Sequence, residues 1–214
     1  MNQYPLLTYI SIFSAVFPIC AGISKITTLD RGMKILFLYL LFAFTADIYL
    51  MWFARGYQLK VGLIHVYYLV EYLFIMSIIS VWHESRRMKR LFFALMLLYL
   101  LFWVIAKVTF EPLSGLFVFT ATTSQVILTF CAESTLIVVI GNRIQPIINH
   151  NRFWVLLSFV IYYAGTLLII ASRGIFLHYP VETFFIVASI DWSLKIIFNI
   201  LFTIGFLCPQ TRTE

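Results

Sequence analysis

The sequence predicts an all-α integral membrane protein: one domain, residues 1–214, built as a seven-transmembrane-helix bundle with its N-terminus outside and its C-terminus in the cytoplasm. Three observations carry that prediction. Hydrophobic residues make up 62% of the 214, against 15 Lys and Arg and 9 Asp and Glu, and the mean hydropathy is +0.97. So few polar groups cannot clothe a soluble domain. Apolar runs of about twenty residues, the length that crosses a bilayer, recur seven times. Five of the six prolines and most of the glycines fall at the ends of these runs or between them, where helix breakers belong.

The first run, residues 6–23, has no Lys or Arg before Lys25. It therefore lacks the charged start of a signal peptide and reads as a retained helix. The second run (34–53) and third run (61–82) are divided by Arg55, Gly56 and Lys60, and the basic stretch Arg86, Arg87, Lys89, Arg90 precedes the fourth (91–109). Pro112 introduces the fifth (115–140), Pro146 precedes the sixth (153–172), and Pro180 opens the seventh (182–207). All seven runs are continuously apolar rather than alternating, which specifies helices and not a barrel. Trp52, Trp82 and Trp154 lie near span ends as interfacial anchors.

Orientation follows from the basic residues. Lys25, Arg31, Lys34, Arg86, Arg87, Lys89, Arg90, Arg143, Arg152 and Arg212 lie on one side, and Arg55, Lys60, Lys107 and Arg173 on the other. The excess marks the cytoplasmic side. The location expected is a bacterial inner membrane. The +6 charge is thereby explained without nucleic acid. Joints of a dozen residues or fewer leave no room for a soluble catalytic domain, and no enzyme is predicted. Cys20, Cys131 and Cys208 are far apart, with no histidine at ligand spacing, so neither a disulfide framework nor a metal site is expected.

Ionisable groups at membrane depth are costly, which makes each a functional candidate. Five acids and lysines lie well inside the runs, away from their ends: Asp47, Glu71, Glu133, Asp191 and Lys195. Lys195 is about 20 Å from the outer end of the seventh helix and Glu71 about 15 Å into the third. Asp191 sits four residues before Lys195 on the same face, the favourable order for an ion pair. That pair alone would let the helix insert, but it leaves Glu71 unexplained. A desolvated lysine is also a nucleophile for an aldehyde, and the resulting protonated Schiff base needs carboxylate counterions. Asp47 and Glu133 are candidates for a proton path.

Asp191-Trp192-Ser193-Leu194-Lys195 resembles the D-x-x-x-K signature in the last helix of microbial (type 1) rhodopsins, and Glu71-Tyr72-Leu73-Phe74 resembles that family's acid-aromatic-Leu-Phe stretch. Tyr49-Leu50 is similar to the family's second-helix tyrosine, and Phe159 to Thr166 to its sixth-helix aromatic segment. The resemblance implies retinal bound covalently to Lys195. It makes Glu71 and Asp191 the counterions, has Tyr49 bonded to the seventh-helix aspartate, and places Tyr72, Phe159 and Tyr162 at the chromophore. Trp82 stands where a pump would carry a cytoplasmic proton donor, so the implied activity is a light sensor or weak light-driven proton translocator. A retinal-free seven-helix sensor, or a small transporter using the same charges, is the alternative, although the sequence shows no pair of Gly-interrupted spans to favour transport. Expected partners are the lipid bilayer and protons. A homo-oligomer and a cytoplasmic or membrane signalling partner stay open. His65, six residues from Glu71 and off its face, reads as an interfacial histidine, and His83 to Arg87 as a headgroup-facing loop.

Overall fold

A computed structural model describes residues 5–54, 57–83, 85–115, 118–141, 147–172 and 181–208. Eight α-helices form seven spans among these residues: α1 (Leu6–Phe13) and α2 (Val16–Lys25) together make the first, followed by α3 (Arg31–Ile48), α4 (Tyr57–Trp82), α5 (Arg86–Thr109), α6 (Val118–Gly141), α7 (Asn151–Ala171) and α8 (Val181–Leu207). All seven spans are long and apolar enough to cross a membrane, and the protein is an integral membrane protein. Several helices run past the apolar stretches that predict them. α5 begins at Arg86 rather than at residue 91, with Arg86, Arg87, Lys89 and Arg90 all exposed, because long basic side chains extend a helix into the headgroup layer at little cost. Asp30 starts α3 by accepting the amide of Met33 at 2.8 Å, an N-cap that satisfies one of the orphaned first-turn donors. His83 departs from its expected place towards the headgroups. It is buried, its Nε2 lies 3.0 Å from Thr135 Oγ1, and its ring is 5.0 Å from that of Phe92. Glu84 of the same stretch lies outside the described residues.

Two spans are irregular. Pro18, one turn into α2, has no amide proton and its ring cannot sit over the carbonyl four residues back. The first span therefore breaks at Ser14 and Ala15, and the Ser14 carbonyl accepts instead from Phe17 N at 3.3 Å. The hydroxyls of Ser11 and Ser14 donate to the carbonyls of Thr8 (2.8 Å) and Ser11 (2.7 Å), so the break costs few unsatisfied groups. In the second span α3 widens into a π turn, Tyr49–Phe53, closed by Ala54 N donating to Tyr49 O at 2.9 Å.

Each span packs on its chain neighbours, and α1 and α2 pack on α8, which closes a ring. α4 also packs on α6 across the ring and buries Tyr72, Ile75, Met76, Ile78 and Ile79 completely. α5 is the outermost, presenting Phe93, Leu97, Leu98, Leu101 and Val108 to lipid. α7 and α8 meet along an aromatic seam in which Tyr162 and Phe198 are 4.5 Å apart, Phe198 and Phe202 4.1 Å, and Phe159 and Phe202 5.6 Å. That seam closes tightly because Gly205 lets α7 approach: a β-carbon there would lie 2.9 Å from Val155 Cγ2. Gly205→Val is expected to cost about 1–3 kcal/mol through overpacking of a stiff neighbour, read as a lowered unfolding midpoint in detergent.

Candidate functional site

The intramembrane charges gather where α3, α4, α7 and α8 face one another. A side chain on a helix leans towards that helix's N-terminus, and α8 runs away from the face on which α1 begins. Lys195 therefore reaches back towards that face and meets Asp47 near the end of α3. Its Nζ donates to Asp47 Oδ2 at 2.5 Å, an ion pair with side chains 21% and 17% exposed. Asp191 and Glu71 also act on the Lys195 charge electrostatically. Asp47, expected on a proton path, is thus the direct partner of the lysine.

Glu71 lies inside the bundle, 3% exposed. Its Oε1 accepts from Tyr39 of α3 at 2.6 Å and from Tyr163 of α7 at 3.2 Å, so one carboxyl ties three helices together. Removing a buried donor leaves the acceptor short of a partner, at about 1–3 kcal/mol. Tyr39→Phe is expected to lower the unfolding midpoint more than Tyr163→Phe, since its bond is the shorter.

Beside the ion pair is a partly open cavity lined by Ala15, Tyr39, Ala43, Asp47, Tyr67, Tyr162, Lys195 and Asn199 among others, with about 20 Å³ of room, enough for water. Asn199, one turn beyond Lys195, is buried, and its Nδ2 donates to Ser14 Oγ at 2.7 Å. The break in the first span is thereby pinned to the helix that carries the lysine. The π turn of the second span begins two residues after Asp47. Both irregular spans abut this one cavity.

The other sequence-derived candidates divide. Tyr162 lines the cavity, and Phe159 is buried behind it against Tyr163, Phe198 and Phe202. Tyr49 is 47% exposed and stacked on Phe53. Two residues turn a helix by about 200°, so with Asp47 facing inward Tyr49 points out, away from the site. Tyr72, about 100° round α4 from Glu71, faces α5, where its hydroxyl donates to Leu95 O at 3.1 Å and its ring lies 4.1 Å from that of Tyr99. Glu133 is on the exposed side of α6, opposite the buried Ala132 and Thr135, and does not join the cluster. Sequence reasoning missed Tyr39, Tyr67, Tyr163 and Asn199. Spacing carried a signal for two of them: Tyr39-Ala43-Asp47 and Asp191-Lys195-Asn199 are stripes at four-residue intervals. The chain matches no protein-family model, no curated protein and no solved structure.

Proposed function

We propose that the protein is a small cation-coupled membrane transporter, working without retinal, in which the Lys195–Asp47 pair is the element that opens and closes. The observation that carries this reading is the break of the first span at Ser14 and Ala15 beside a charged intramembrane cavity, whose Asp47 stands just before the π turn that ends the second span. Interrupted helices at a midmembrane site are how transporters free backbone groups for an ion and supply hinges for alternating access, and π turns concentrate at working sites. Asp47 holds the Lys195 ammonium directly, and Glu71 is bonded to Tyr39 of the same cavity lining. The surplus acid suits a cation, the proton first among them. A cation reaching Asp47 would compete with Lys195, and breaking that bond would release α8 from α3. The positive-inside count supports an N-terminus outside.

A second reading, a retinal pigment, is favoured by one observation: a lysine midway along the last helix is paired with a carboxylate. The residues around it do not fit a polyene as they stand. About 20 Å³ of room beside Nζ is far short of such a chain, the aromatic seam of α7 and α8 is closed, and Tyr49 and Tyr72 face elsewhere.

Reconstitution separates the two. Liposomes holding the purified protein, with the membrane potential clamped, are expected to dissipate an imposed proton or sodium gradient. Asp47→Asn is expected to slow this at least tenfold. Vesicles as tight as protein-free ones to both ions would overturn the transport reading. Incubation with all-trans-retinal is expected to yield no visible absorption band, whereas a band abolished in Lys195→Ala would establish the pigment.

A further inference from the structure

A second polar cluster lies apart from the central site, near the face on which α1 begins. His65 of α4, Lys107 of α5, Glu111 of the connecting segment and Thr120 of α6 form one buried knot. Lys107 Nζ is 2.7 Å from His65 Nδ1, 2.7 Å from Glu111 Oε2 and 3.1 Å from Thr120 Oγ1. Glu111 Oε2 accepts the Thr120 hydroxyl at 2.5 Å, and Oε1 accepts the amide of Phe119 at 2.8 Å, so this carboxylate caps the start of α6. His65 Nε2 is 3.1 Å from Gly115 O.

These contacts fix the protons. A lysine ammonium is donor only, so Nδ1 of His65 accepts and carries no proton. A carbonyl is acceptor only, so Nε2 carries it. The imidazole is therefore neutral, and the one ring position able to take a proton is held by a cation. Among the described residues, the other titratable groups near the ring include Tyr99 of α5, whose hydroxyl donates to Thr120 O at 3.1 Å, and Lys60 and Tyr68 about a turn to either side on α4 itself. Thr120 is what α6 contributes. In the closed state the knot balances one positive charge with one negative.

We propose that His65 is a proton-binding switch that clamps α4 to the α5–α6 connection near neutral pH and releases it in acid. A proton on Nδ1 converts an acceptor into a donor and places imidazolium against ammonium, with Glu111 the carboxylate that the knot supplies to both. The Lys107–His65 bond cannot survive that step, and the contact between α4 and the 110–115 segment opens. α4 carries Glu71 about 9 Å deeper along the same helix, so the clamp bears on the element that holds the central carboxyl. Histidine is the side chain that titrates in this range.

Hydrogen exchange of the full chain in lipid nanodiscs, corrected for intrinsic rates, tests the switch. Protection of the Phe119 and Thr120 amides is expected to fall about tenfold in a one-proton step on the acid side of the free-histidine range, between about pH 6.5 and 5. In His65→Gln the side-chain carbonyl still accepts from Lys107 and the amide still donates to Gly115, so protection is expected to stay at its neutral-pH level throughout. Should that variant not fold, His65→Asn takes its place. Flat protection in the unmodified protein, or an unchanged step in the variant, would overturn the proposal.

Discussion

Lys195→Met is expected to destabilise the bundle by about 3–5 kcal/mol, because it leaves the Asp47 carboxylate inside the protein without its partner. Asp47→Leu is expected to cost a similar amount through the stranded ammonium. The double variant should recover most of the loss, since two apolar side chains of suitable volume replace a buried pair with little penalty. Thermal unfolding in a fixed detergent measures all three. The same three proteins then report on role. If the pair served only to let α8 insert, the double variant would regain transport along with stability. As the working element, it regains stability alone.

The next largest effect is expected at Glu111. Its carboxylate is the partner of Lys107, with side-chain exposures of 2% and 7%, and caps α6 through Phe119 and Thr120. Glu111→Gln keeps the shape but strands the ammonium and weakens the cap, at about 3–5 kcal/mol. The pH dependence has a definite sign. Burial would raise this carboxyl, but the hydrogen bonds from Lys107 and Thr120 outweigh it and hold the group below its ordinary value of 4.5. A carboxyl lowered on folding contributes stability that is complete above 4.5 and is lost as pH falls below that value. Any loosening of the same knot nearer neutrality therefore belongs to His65. Unfolding midpoints of the two proteins followed against pH should converge only below 4.5.

Much of this could be read in the chain because hydrophobic length and helix-breaking residues speak directly about spans. The seven spans lie where the apolar runs had placed them, and Lys195, Glu71 and Asp47 share one region. Neighbour identity was harder. Asp191 lies beside Lys195 in sequence, yet the structure gives the lysine a partner on α3, because side-chain lean and helix direction, not spacing, decide where an ammonium ends up. The rotations of Tyr49, Tyr72 and Glu133 were hidden too, since a helix that is apolar all round carries no stripe to mark its inward face. Pro18 was visible as a breaker inside a span, but nothing in the sequence tied it to Asn199. The knot at His65 was invisible for a related reason: Lys107 reads as one more basic residue near a span end, and Glu111 as part of a joint.

The distance in sequence between Asp47 and Lys195 has a consequence for biogenesis. Their bond joins residues 148 positions apart, with the acid made first and the base in the middle of the last span. At ribosomal rates of about 5–20 residues per second, the second span spends roughly 7–30 s after synthesis before its counter-charge exists. During that interval the nascent bundle holds the Asp47 acid without its ammonium. Premature termination anywhere before α8 should therefore leave a product that membrane quality control removes quickly, its lifetime lengthened by Asp47→Leu and measurable by pulse-chase.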